Sequence, residues 1–145
     1  MINDKLKVTG DVSIVLKDKD GNVKDSRDIK NLVVTTGKEF IAAAMAGTQT
    51  YMSHMAIGSG SAAALVTNTT LGTELGRSAL TSSTVTGASV VYTATFPAGV
   101  GSGAVTEAGI FNDGTAGSLL CRTVFAVVNK GADDSITITW QVSVQ

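Results

Sequence analysis

SITITWQVSV, residues 135–144, alternates without a break: Ile136, Ile138, Trp140, Val142 and Val144 fall on one face, with Ser135, Thr137, Thr139, Gln141 and Ser143 on the other. A period of two held over ten residues predicts a half-buried strand. The apolar face, Val144 included, is expected in a core. Further strands are predicted near 118–128, 104–111, 89–96, 77–86 and 52–57, separated by Gly-containing turns such as TGAS, NDGTAG and NKGADD. In residues 6–16, Val12, Ile14 and Leu16 alternate with Asp11, Ser13 and Val15. The following DKDGNV supplies Gly21 and Asn22, which tolerate the positive φ of a tight turn, so VKDSRDIKNLVV should return as a charged, solvated strand.

One segment reads as a helix. TTGKEFIAAAMAG, residues 35–47, offers Thr35 or Thr36 as a cap, Glu39 as a capping-box partner, three consecutive alanines and a closing Gly47. About eight strands, one short helix and no βαβ alternation predict a mainly β fold: an antiparallel, jelly-roll-like β-sandwich, with a closed barrel as the alternative. The chain reads as a single domain, with an N-terminal hairpin arm over 1–35, a short helix over 36–47 and a sandwich body over 52–145. Residues 58–73, rich in Ser, Thr, Ala and Gly, read as a flexible loop that orders on assembly.

Charge is distributed unevenly. The first 39 residues carry 15 of the 23 charged side chains, leaving 8 for residues 40–145, and the runs 40–73 and 78–106 have none. An ordinary soluble surface is about 25–35% Lys, Arg, Glu and Asp, so this body has an outside of Ser, Thr, Ala and Gly. Such a surface is either a Ser/Thr-rich sheet face left in solvent or one covered by other subunits, and cover by other subunits is the expectation. The net charge of −1 offers no basic field for nucleic acid or an anionic membrane. MINDKLKVTGD lacks the basic and apolar regions of a signal peptide, and no apolar run is long enough to span a bilayer. The expectation is a chain that is neither exported by a signal peptide nor inserted in a membrane.

Several stretches resemble chemical motifs without their context. MAIGSGSAAAL, residues 55–65, fits the glycine pattern of a dinucleotide-binding turn through Gly58, Gly60 and Ala63. That motif needs the glycines to open a helix inside a βαβ unit with an acid about 20 residues on. Here VTNTTLG cuts any helix short, so no cofactor is expected. TGKEF has Glu39 where a phosphate-binding loop needs Ser or Thr after its lysine, and DKDGN places Gly21 too early for a calcium loop. His54 is the only histidine and Cys121 the only cysteine, too few for a zinc site or a nucleophile–base pair. Glu107 stands in the apolar strand TEAGIF, and a buried carboxylate must be paired. Arg77 or Arg122 is the expected partner in a structural ion pair. No catalytic residues, cofactor site or metal site are predicted, and the chain is read as a non-enzyme.

The series MSHMAIGSG, TTLGTELGR, TATFPAG, TEAGIFN, LLCRTVF, NKG and SITITW, spread over residues 31–145, resembles small virion structural proteins and tail-fibre or collar modules of tailed bacteriophages and related prophages. KVTGDVSIVLKDKDGNVKDSRDIKNLVV is similar to the N-terminal hairpin of the stand-alone members. The resemblance implies a β-sandwich building block without catalytic residues, located in the virion after assembly in the host cytoplasm. Combined with the charge-poor body, it leads to the expectation of a capsid decoration or cement protein. Its expected partners are further copies of itself, as a homotrimer, and other virion proteins, the major capsid protein foremost. The alternative is a tail, collar, baseplate or fibre component that contributes to receptor binding, for which Tyr51 is the accessible aromatic.

Overall fold

Residues 135–144 occupy the middle of a five-stranded antiparallel sheet. The computed structural model describes residues 6–48 and 50–145. In chain order the strands are β1 (Val8–Lys17), β2 (Val23–Lys30), β3 (Leu32–Val33), β4 (His54–Gly58), β5 (Glu74–Ala79), β6 (Ser82–Thr86), β7 (Ser89–Phe96), β8 (Gly103–Phe111), β9 (Leu119–Lys130) and β10 (Ser135–Val144). The one helix among the described residues, α1 (Thr35–Met45), lies between β3 and β4. The first sheet has the order β2-β1-β10-β7-β6 and the second β3-β9-β8-β4-β5. Every pairing is antiparallel. The expected β-sandwich with one short helix is what the chain forms.

The core lies where the alternation placed it. Ile136, Ile138, Trp140 and Val142 pack with Val12, Ile14 and Leu16 of β1 and with Ala94 and Phe96 of β7. Met55 and Ile57 of β4, Ala108 and Ile110 of β8 and Cys121 of β9 face them from the second sheet. Val144 is 40% exposed and outside this cluster, because it lies at the end of the sheet, where its partner Val8 is itself only partly buried. Cys121 is fully buried, and burial pushes its thiol well above the ordinary value. The native protein is therefore expected to leave a thiol reagent unconsumed at neutral pH and to react stoichiometrically once unfolded in denaturant. Rapid labelling of the folded chain would contradict this packing.

The N-terminal hairpin is no arm. β1 pairs with β10 over ten residues, from Val8 with Val144 to Lys17 with Ser135, which makes it an interior strand of the first sheet. The turn is as expected: Gly21 has φ +85°, and the Asp18 carboxylate accepts from the N–H groups of Asp20 and Asn22. β2 is fastened across to the second sheet, where Arg27 donates to the carbonyls of Ala126 and Val127. Lys24 bonds Asp134 at 2.8 Å. The apolar alternation of β1 requires this arrangement, since Val12, Ile14 and Leu16 on a free arm would face water. Residues 1–5 of the expected arm lie outside the described residues.

Two other expectations change. The stretch expected as one strand over 77–86 is two, β5 and β6, in different sheets. The chain crosses at Leu80, whose N–H donates to the Ser53 carbonyl and whose side chain packs on the core. Helix α1 has no side-chain cap. Val34 is its N-cap residue, and the Thr36 hydroxyl donates instead to the Leu119 carbonyl, which docks the helix on β9. Gly37 makes that docking possible, because a Cβ there would collide with the Leu120 carbonyl oxygen. The C-terminus closes as expected, with Gly47 at φ +71° donating to the Ala44 carbonyl.

Candidate functional site

The outer face of the second sheet carries the one buried ion pair among the described residues. β8 is bulged between Val105 and Glu107, so Ala108 and Ile110 face the sandwich core while Glu107 and Phe111 face outward. Arg122 of β9 stands opposite Gly109, and Glu107 stands opposite Gly58 of β4. Small residues flanking both charged side chains leave a trough on the sheet surface, and residues 59–73 lie in it. Leu71 fills one end, packed with Val34, Ala56, Phe111 and Leu119 in a second, smaller core.

Glu107 holds this segment by its backbone. Its Oε2 accepts from the N–H of Gly60 at 2.5 Å and of Thr73 at 2.8 Å, and its Oε1 from the N–H of Gly72 at 2.7 Å and from Arg122 Nε at 3.0 Å. Arg122 continues outward, donating to the Ala62 carbonyl at 3.1 Å and to Asn68 Oδ1 at 3.0 Å. Asn68 in turn accepts from the Leu65 N–H at 2.8 Å. The Thr106 hydroxyl donates to the Gly60 carbonyl at 2.8 Å. Residues 58–73 were expected to be a loop that orders only on assembly; Gly58 instead ends β4, and residues 59–73 are anchored at both ends and in the middle within a single chain. The cause is a carboxylate and a guanidinium, each buried and each needing every partner it has.

The glycines of IGSGS acquire their meaning here. Backbone N–H groups do converge on an anion, as they would around a pyrophosphate, but the anion is the chain's own Glu107. A Cβ on Gly60 would collide with Glu107 Oε2 and lie 2.8 Å from the Gly72 Cα, so two backbone segments and a carboxylate meet where only glycine fits.

The charged pair was legible as Glu107 with one of two arginines, and the geometry selects Arg122. Arg77 does not reach it. Its guanidinium is engaged by Glu74, at 3.1 Å from Nε and 2.6 Å from Nη2, and lies 3.9 Å from the Phe111 ring centroid. It also donates to the carbonyls of Asp113 and Ala116, fixing the β8–β9 turn. Gly60, Gly72 and Thr73 were not anticipated as partners, because backbone donors carry no side-chain signature, and neither was the Asn68 side chain, which accepts from Arg122. His54 is half-buried, with Nδ1 2.8 Å from the Ser53 hydroxyl. Among the described residues no helix is long and apolar enough to cross a membrane.

Burial pushes the Glu107 carboxyl up. The N–H groups of Thr73 and Gly72, the Arg122 guanidinium and the Gly60 N–H outweigh it, holding the group below its ordinary value. A carboxylate depressed in the folded state contributes stability that is fully present above the unfolded value, about 4.3, and is lost as pH falls through the folded one. Acid titration of stability should therefore show a loss below about pH 4 that Glu107→Gln reduces. An unchanged acid limb in that variant would show that Glu107 does not carry it.

Compared with protein-family models, with curated proteins and with solved structures, the chain matches none.

Proposed function

We propose that the chain is a non-enzymatic structural subunit of a tailed-bacteriophage virion, a capsid decoration protein that stabilises the shell by contacts with further copies and with the major capsid protein. The observation that carries this reading is the outer face of β10, β7 and β6. Thr137, Thr139 and Gln141, then Val91, Thr93 and Thr95, then Ser82, Thr84 and Thr86 present a broad surface without one charged side chain. Such a surface is suited to burial against protein, since it pays no desolvation penalty for charge. The likeness of the seven segments to phage virion proteins supports the same reading. Many weak contacts repeated by symmetry would reinforce a shell through avidity. The test is gold-tagged antibody against this protein on intact particles: label spread over the head is expected, and label confined to the tail would overturn decoration.

A second reading is favoured by Tyr51. It is 90% exposed and lines a groove with Phe40, Met52, Val90 and Tyr92. An aromatic shelf of that kind suits a tail or fibre component that stacks on receptor sugars. On this second reading Tyr51→Ala lowers adsorption about tenfold, equivalent to about 1.4 kcal/mol of lost contact. On the first, adsorption is unchanged.

A further inference from the structure

The two sheets have four edges, and three of them are blunted. β2 carries Lys24, Asp25, Arg27, Asp28 and Lys30 and is tied across to β9 by Arg27. β3 is two residues long. β5 is bulged opposite Ile57 and Gly58 and bears Glu74 and Arg77. Charge, brevity and bulging are the devices by which sheet edges avoid adding a foreign strand. β6, SSTVT, has none of them. All five residues are exposed and uncharged, its pairing to β7 is regular from Ser82 with Thr93 to Thr86 with Ser89, and no strand lies on its other side among the described residues.

We infer that β6 is a self-association edge, and that its occupant is the β6 strand of a second copy, running antiparallel about a two-fold axis at Thr84. An edge open to strand addition offers backbone N–H and C=O groups that only another strand can satisfy in series. The choice of a second copy rests on charge. β6 against β6 sets Thr84 opposite Thr84, Ser83 opposite Val85 and Ser82 opposite Thr86, with no like charges facing one another. The other long edge of the same sheet is the charged β2. Val85, 73% exposed on the side of the sheet that bears Tyr92, would gain Ser83 of the second copy as its cross-strand neighbour. The two first sheets would then form one ten-stranded sheet. This contact depends only on the edge, not on where the protein resides. It is pairwise, so a three-fold arrangement would need a different surface.

Light scattering on the size-exclusion peak reads the mass. The expected value is twice the 14.8 kDa chain mass, or a larger even multiple. Thr84→Lys places two ammonium groups together on the axis and should halve that mass while the circular dichroism spectrum stays unchanged. Because Cys121 is buried, Thr84→Cys introduces the one reactive thiol, and antiparallel partners at an axis are close enough for a disulfide. Mild oxidation should convert Thr84→Cys to a covalent dimer and leave the control, Asp20→Cys in the β1–β2 turn, monomeric on a non-reducing gel. A wild-type mass of one or three chains, an unaltered mass in folded Thr84→Lys, or no more cross-linking in Thr84→Cys than in the control would each overturn the inference. Should Thr84→Lys fail to fold, the cross-linking comparison decides.

Discussion

Glu107→Ala is expected to destabilise the protein by about 3–5 kcal/mol, the loss typical of removing one member of a buried ion pair. The carboxylate takes four N–H donors, and its deletion strands all of them at once: Arg122 Nε and the amides of Gly60, Gly72 and Thr73. The damage should be local before it is global. Residues 59–73 lose the anchor at each end, so limited proteolysis should cut there in the variant under conditions that leave the wild type intact. Denaturant unfolding measures the first effect and peptide mapping the second. A loss below about 1 kcal/mol, the range of exposed pairs, would mean that the segment is held by Leu71 and its small apolar cluster and that the charged pair adds little. The double replacement Glu107→Leu with Arg122→Leu separates these contributions, because it removes both charges and strands only neutral backbone groups. Its cost should fall short of the sum of the two single changes.

Trp140→Ala should cost a comparable amount, about 3–5 kcal/mol, by a different route. Trp140 is fully buried at the centre of β10, opposite Val12 on one side and Tyr92 on the other, and belongs to the cluster that joins both sheets. Its removal opens a cavity that strands paired on both sides cannot close. Trp140→Phe keeps a ring in the site and removes an indole N–H that finds no acceptor among the described residues. Leaving such a group unpaired costs about 1–3 kcal/mol, so this variant should lose less than about 2 kcal/mol. Thermal unfolding monitored by far-ultraviolet circular dichroism checks both. Equal losses for Phe and Ala would show that the indole N–H is satisfied after all.

How much could be read beforehand differs sharply between elements. β10 was legible to the residue, because ten positions of unbroken alternation have one physical interpretation. β1 was legible as a strand with β2 as its hairpin partner, yet its second partner, β10, was not, since pairing with residues more than a hundred positions away leaves no local trace. The division of residues 77–86 into two strands was hidden for a similar reason: neither Gly nor Pro marks the crossing at Leu80, and both halves consist of residues at ease in an extended chain. Glu107 announced itself as a carboxylate in an apolar strand. Its arginine could be named only once the register set Arg122 beside it, leaving Arg77 over Phe111. The misreading of residues 58–73 is the most instructive. Their glycines and small polar residues look loose in sequence because what fixes them is a side chain 34 to 47 positions further on, acting on backbone amides that every residue possesses.

The β1–β10 pairing has a consequence for the chain during its synthesis. Lys17 ends β1 and Ser135 begins β10, so the strand that must fill the middle of the first sheet is made 118 residues after its neighbour. At typical elongation rates of about 5–20 residues per second, β1 waits for roughly 6 to 24 s. Throughout that interval Val12, Ile14 and Leu16 have only the hairpin with β2 to shelter them, and an isolated two-stranded hairpin is marginal at best. The nascent chain therefore carries β1 paired on one edge only until β10 leaves the ribosome. A chaperone that binds extended apolar segments would find its target in Val8–Lys17, and truncation anywhere before Ser135 should yield insoluble product in place of a shortened fold.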